Sequence, residues 1–152
     1  MSIPSLSHTY FGSTLTAGSG LTEATNGGYA VLEQTITLTS VAGGTAVSGS
    51  INIPAGSQIL NFFVDTLTAP VAGGGTATTA PITIGTAAAG TQYLSGTDAF
   101  LGGRAALTFT AAQLTAMSNV GNNTSVFATV DPNGTISTTQ GVFQVTVVYA
   151  MQ

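Results

Sequence analysis

From Tyr29 onward, apolar and polar side chains alternate with a period of two. Leu32, Gln34, Ile36 and Leu38 fall on one side of an extended chain, and Val31, Glu33, Thr35 and Thr37 on the other. The pattern predicts a half-buried strand, followed by the turn signal Gly43-Gly44. A second strand runs from Ala46 to Ile53 and is closed by Pro54-Ala55-Gly56. In the next run, Gln58 to Leu67, Leu60, Phe62 and Val64 alternate against Ile59, Asn61, Phe63 and Asp65. Apolar residues on both of its faces mark this run as a central strand.

A Gly/Ala/Thr loop, Pro70 to Thr79, leads into a short strand from Pro81 to Thr86, which proline opens where its missing donor costs least. Thr91 to Ser95 and Ala105 to Phe109 are further short strands, separated by Gly96 to Gly103. A helix signal follows over 110–118. Thr110 stands three residues before Gln113 as in a capping box, Phe109 and Leu114 have the hydrophobic-staple spacing, and Met117 continues the face. Ser125 to Val130 and Ile136 to Thr138 flank Asp131-Pro132-Asn133-Gly134, which is hairpin-turn chemistry. The last strand, Gly141 to Met151, sets Phe143, Val145, Val147 and Tyr149 against Val142, Gln144, Thr146 and Val148. About eight short strands with at most one short helix read as an all-β fold, a β-sandwich of jelly-roll type.

Residues 1–28 break this rhythm. Ile3, Leu6, Tyr10, Phe11, Leu15 and Leu21 follow no clean period and lie among Ser, Thr and Gly up to Asn26-Gly27-Gly28. They read as an extended N-terminal arm in front of a single sandwich domain, 29–152, with Ile3, Leu6, Tyr10 and Phe11 as assembly contacts. The alternative is that part of the segment adds an edge strand to its own domain.

Composition narrows the function. The chain of 152 residues is 43% hydrophobic but only 4% charged, so its polar surface must be built from Thr, Ser, Asn and Gln. One basic residue, Arg104, stands against Glu23, Glu33, Asp65, Asp98 and Asp131. That deficit argues against nucleic acid and against an anionic membrane as partners, since both need clustered Lys or Arg. No run of about 18–20 apolar residues spans a membrane. The first 20 residues lack the basic and apolar regions of a secretion signal, so the chain is expected to stay in the cytosol where it is made.

Catalytic sets are incomplete. A Ser-His-Asp arrangement needs a positioned histidine, and the one histidine, His8, lies in the arm. With no cysteine and a single histidine, a usual zinc set cannot be assembled. Asp65 and Asp98 form the plausible carboxylate pair for glycoside hydrolysis. Asp98, however, stands close in sequence to Arg104, which favours a structural salt bridge between those two. Asp131-Pro132-Asn133-Gly134 lacks the later acidic ligands of a calcium loop, and Gly73-Gly74-Gly75-Thr76 has no following lysine to make a phosphate cradle. No catalytic residue, metal ligand or cofactor is therefore expected.

The run Ile53-Pro54-Ala55-Gly56-Ser57-Gln58-Ile59-Leu60, then Phe63 to Thr68, and later Pro81-Ile82-Thr83-Ile84-Gly85-Thr86, resembles small virion proteins of tailed bacteriophages. In these an Ile-Pro-Ala-Gly turn precedes a long strand, and a Gly-rich loop precedes a second one. Tyr93-Leu94 and the ending Gln144 to Tyr149 are similar too. The resemblance implies a capsid decoration (cement) or head-fibre protein, made in the host cytoplasm and held on the virion. It implies self-association as a homotrimer and the major capsid protein as partner. The alternative is a receptor- or glycan-binding module of a fibre or spike, contacting its target through the loops 71–80 and 96–104. Glycan sites favour exposed aromatic rings, and a chain without Trp, with most Tyr and Phe inside strand patterns, favours the structural reading.

Overall fold

The computed structural model describes residues 30–72, 76–136 and 140–151. Strands β1 (Ala30–Thr39), β2 (Val47–Asn52), β3 (Gln58–Thr68), β4 (Pro81–Gly85), β5 (Leu94–Asp98) and β6 (Gly103–Arg104) precede helix α1 (Ala111–Ser118), and β7 (Ser125–Val130) and β8 (Val142–Met151) follow it. Two four-stranded sheets form, ordered β1-β8-β3-β6 and β2-β7-β4-β5, with every pair antiparallel. First strand pairs with last, second with seventh, third with sixth and fourth with fifth, the nested order of an eight-stranded jelly roll.

Alternation places the core. Ile36, Leu38, Phe62, Val64, Phe143, Val145 and Val147 point inward from the first sheet. Ile82, Ile84, Val126, Ala128 and Val130 meet them from the second. The sheets approach closely at Gly49, where a Cβ would lie 2.7 Å from the Ile36 side chain and 3.1 Å from that of Leu38. Gln34, the polar member of the inward set, is half-buried and donates to Tyr149 Oη at 2.6 Å and to the Asn52 carbonyl at 3.2 Å.

β8 rather than β3 is the spine of the first sheet. It pairs along its length with β1 on one side and β3 on the other, whereas β3 meets only two residues of β6 on its far side. The sequence expectation for β3 also fails in phase. Ile59 opposes Tyr149 and Asn61 opposes Val148, so Leu60 is the extra residue of a β-bulge. The bulge resets the alternation, and Ile59 turns inward with Phe62 and Val64 while Leu60 is left exposed.

Three other expectations are corrected. Ala105 to Phe109 is not a strand. The Ala105 amide still donates to the Val64 carbonyl at 2.9 Å, but the chain then leaves the sheet edge for α1, with Leu107 and Phe109 packed against the core. The strand expected at Thr91 to Ser95 begins at Leu94 instead, because the preceding loop folds back and the Gln92 amide oxygen accepts from the Thr86 amide. Asp131 to Gly134 does not close a hairpin onto Ile136, since β7 already pairs with β2 on one side and β4 on the other while Ile136 bridges Ala72. It forms a crossing segment held by bridges Thr79–Asn133 and Ala72–Ile136. There Gly134 has φ +106°, and a Cβ would lie 2.7 Å from the Thr76 carbonyl oxygen. Of the strand expected at Ile136 to Thr138, Ser137 and Thr138 lie outside the described residues.

The helix is as the sequence predicts. Thr110 Oγ1 accepts from the Gln113 amide at 3.2 Å, and Gln113 Oε1 accepts from the Thr110 amide at 2.8 Å, a cap worth about 1 kcal/mol. Gln113 and Met117 are buried, while Leu114 is 53% exposed and takes no part in the apolar face expected of it. Phe109 and Tyr93 lie with their ring centroids 6.4 and 5.9 Å from that of Phe62. Burial in this cluster pushes the Tyr93 hydroxyl above its ordinary pKa.

Candidate assembly surface

The outward face of the β1-β8-β3-β6 sheet is read directly from the strand register. Val31 stands beside Ala150, Glu33 beside Val148 and Asn61, Thr35 beside Thr146 and Phe63, and Thr37 beside Gln144 and Asp65. Val31 (59% exposed), Leu60 (43%) and Leu67 (59%) put large apolar side chains on this side. Thr35, Thr146, Gln144 and Asn61 lie between them together with Val148 and Phe63. The outward face of the other sheet differs, because the loop 86–92 folds over it. The Ala89 amide donates to Thr129 Oγ1 at 2.8 Å, Ser48 Oγ lies 2.7 Å from the same oxygen, and Thr129 is buried. Among the described residues, a loop covers the outward face of the second sheet, and none is seen to do so over the first.

Arg104 sits on the open face and not where the sequence suggested. Its guanidinium donates to both carboxylate oxygens of Asp65, at 2.8 and 2.9 Å, and lies 4.5 Å from the centre of the Phe63 ring. The hydrogen bonds and charge of Arg104 hold the Asp65 carboxyl below the ordinary aspartate value, and Asp65 in turn raises Arg104. The expected Asp98–Arg104 bridge is thus replaced by Asp65–Arg104. Topology is the reason: β5 carries Asp98 in the second sheet, and β6 places Arg104 in the first, opposite Asp65 in the register. Asp98 instead accepts from the backbone amides of Ala80 at 2.8 Å and Phe100 at 3.0 Å, closing the end of β5. Asp65 and Asp98, the carboxylates considered as an acid/base pair, are likewise placed in different sheets.

Beside α1 lies a groove of about 410 Å³, lined by Thr91, Gln92, Ser95, Thr110, Gln113 and Ala116. Its polar atoms already serve one another. Gln113 Nε2 donates to the Thr91 carbonyl and to Ser95 Oγ, both at 3.3 Å, and Gln92 Oε1 accepts from Thr86. Among the described residues its lining contains no aromatic ring on which a sugar could stack.

Ile3, Leu6, Tyr10 and Phe11, the expected assembly contacts, lie outside the described residues, as does His8. Among the described residues no three His, Cys, Asp or Glu side chains come together as metal ligands. Sequence reasoning missed the Phe63–Arg104–Asp65 cluster, although the alternation had already put Phe63 and Asp65 on one face. No family model and no curated protein matches the chain. A chain in the solved structure of the cyanophage Pam1 capsid asymmetric unit has a similar fold, with a TM-score of 0.62 and 17% identity over 91% of this chain and 99% of that one.

Proposed function

We propose that this protein is a non-enzymatic structural component of a phage virion, and specifically a decoration (cement) protein on the head surface. The observation that carries the reading is the whole-chain likeness of its jelly roll to a chain of a phage capsid asymmetric unit. The outer face of the first sheet supports it: among the described residues it carries exposed apolar and hydroxyl side chains with only Glu33, Asp65 and Arg104 charged, a surface that suits protein contact better than chemistry. In this reading the open face or the arm meets the major capsid protein, the hydroxyl-rich loops face solvent, and three copies assemble around a local symmetry axis. The role is structural, and Asp65, Phe63 and Arg104 stiffen a face rather than act on a substrate. Imaging of intact particles tests the reading. Density for this jelly roll on the outer head shell, in fixed stoichiometry with the major capsid protein, is the expected result. Finding the chain on a tail fibre, or missing from purified particles, overturns it.

A further inference from the structure

The four sheet edges are not equivalent. β6 has two residues, β5 has five and is kinked at Gly96, where φ is +75°, and β2 has six. β1 has ten residues and pairs with β8 in one unbroken register, Ala30 with Met151 through Thr39 with Val142. It is the long, regular edge among the described residues. Such an edge is a ready template for another strand unless it is broken by proline, bulges or charge, and β1 has no proline, no lysine, no bulge and one charge, Glu33.

The direction of its hydrogen bonds follows from one contact. The Ser40 amide donates to the Gly141 carbonyl at 2.9 Å, which continues the same register. Antiparallel pairs alternate, so the even residues of β1 bond to β8, and the amides and carbonyls of Val31, Glu33, Thr35, Thr37 and Thr39 point away from the sheet. All five of these residues are exposed.

We infer that this edge accepts an extended strand from the arm, residues 1–28, of a second copy of the chain. The inference rests on reading the chain as an assembly protein, and it names the acceptor. The arm leaves the chain just before Ala30. Between Ser5 and Thr22 it has no proline and no charged residue apart from His8, so nothing opposes Glu33 with like charge. If residues 5–14 lie along the edge, residues 15–28 remain as a tether of roughly 45 Å at full extension. A domain of this size has a radius of gyration of roughly 14 Å, so the arm can reach a neighbour. Arm-to-edge pairing is head-to-tail, which closes into rings and so admits a trimer.

Proline offers a separation of roles. Thr35→Pro with Thr37→Pro removes two outward amides and no β1–β8 bond, the placement proline tolerates on an edge. Thr35→Lys with Thr37→Lys blocks the edge by charge and leaves the backbone intact, should the proline variant fold poorly. Light scattering and sedimentation of the full chain at micromolar concentration read the result. Wild type should be an oligomer, and the variants should dissociate with an apparent Kd raised by about tenfold or more at an unchanged thermal midpoint. Oligomers unaffected by either variant overturn the inference, whether the edge is filled by the chain's own arm or by a capsid strand, and so does a monomeric wild type. Absence of the chain from particles would sink the virion reading while leaving this solution result standing.

Discussion

At the scale of single residues, the chain's one cation shows what spacing reveals and what it hides. The Thr110–Gln113 cap was legible because both partners lie within one turn, and their geometry is set by the local backbone. The partner of Arg104 was not legible, because six residues separate it from Asp98 along the chain while the fold sets it opposite Asp65 in another sheet. Pairing with Arg104 lowers the folded-state pKa of Asp65 below the ordinary 3.8. A depressed carboxyl contributes stability that is present above the unfolded value and is lost as pH falls through the folded one. Asp65→Asn should therefore lower the thermal midpoint slightly at neutral pH, and the gap from wild type should close as pH drops below 3.8. The effect is small because Arg104 is 60% exposed and solvent screens the pair. A gap that persists in acid would mean that the asparagine disturbs the strand itself.

At the scale of elements, periodicity located β1, β2, β3, β4, β7 and β8 to within a residue or two, because each has one face in the core. It failed where a strand changes phase. The mixed apolar run in β3 does belong to an interior strand, between β8 and β6, but Leu60 is inserted between two residues that oppose consecutive residues of β8 and shifts the phase read from the alternation. Deleting Leu60 should join Ile59 to Asn61 in regular alternation, both keeping their present faces, and the variant should fold cooperatively. Deleting Phe62 should fail, because the slip turns either the segment before it or the segment after it onto the wrong face. Far-ultraviolet circular dichroism and denaturant unfolding distinguish the two variants, and equal damage from both deletions would refute the bulge assignment. Ala105 to Phe109 misled for another reason: β-prone residues can cover a core edge without finding a partner strand.

At the scale of the whole molecule, the all-β sandwich was legible in the alternation, but the strand order was not. Only β4 and β5 pair as neighbours in sequence, and every other pair joins distant segments, so local patterns carry no record of the partners. The nested order also sets which parts of the chain the domain can lose. Val145, fully buried in β8, lies between Ile36 of β1 and Val64 of β3 and ties the ends of the chain into one sheet. Val145→Ala should cost about 2–3 kcal/mol, from lost burial plus the cavity left behind, and removal of residues 142–152 should abolish folding. Removal of residues 2–28 should act differently. The sandwich core closes between β1 and β8 through Ile36, Leu38, Phe143 and Val145, so the truncated chain should unfold at nearly the wild-type midpoint while associating more weakly with itself and with particles. Calorimetry of the truncated and Val145→Ala proteins side by side checks the contrast. If truncation lowers the midpoint as much as Val145→Ala does, the arm is a strand of its own domain and its part in assembly falls.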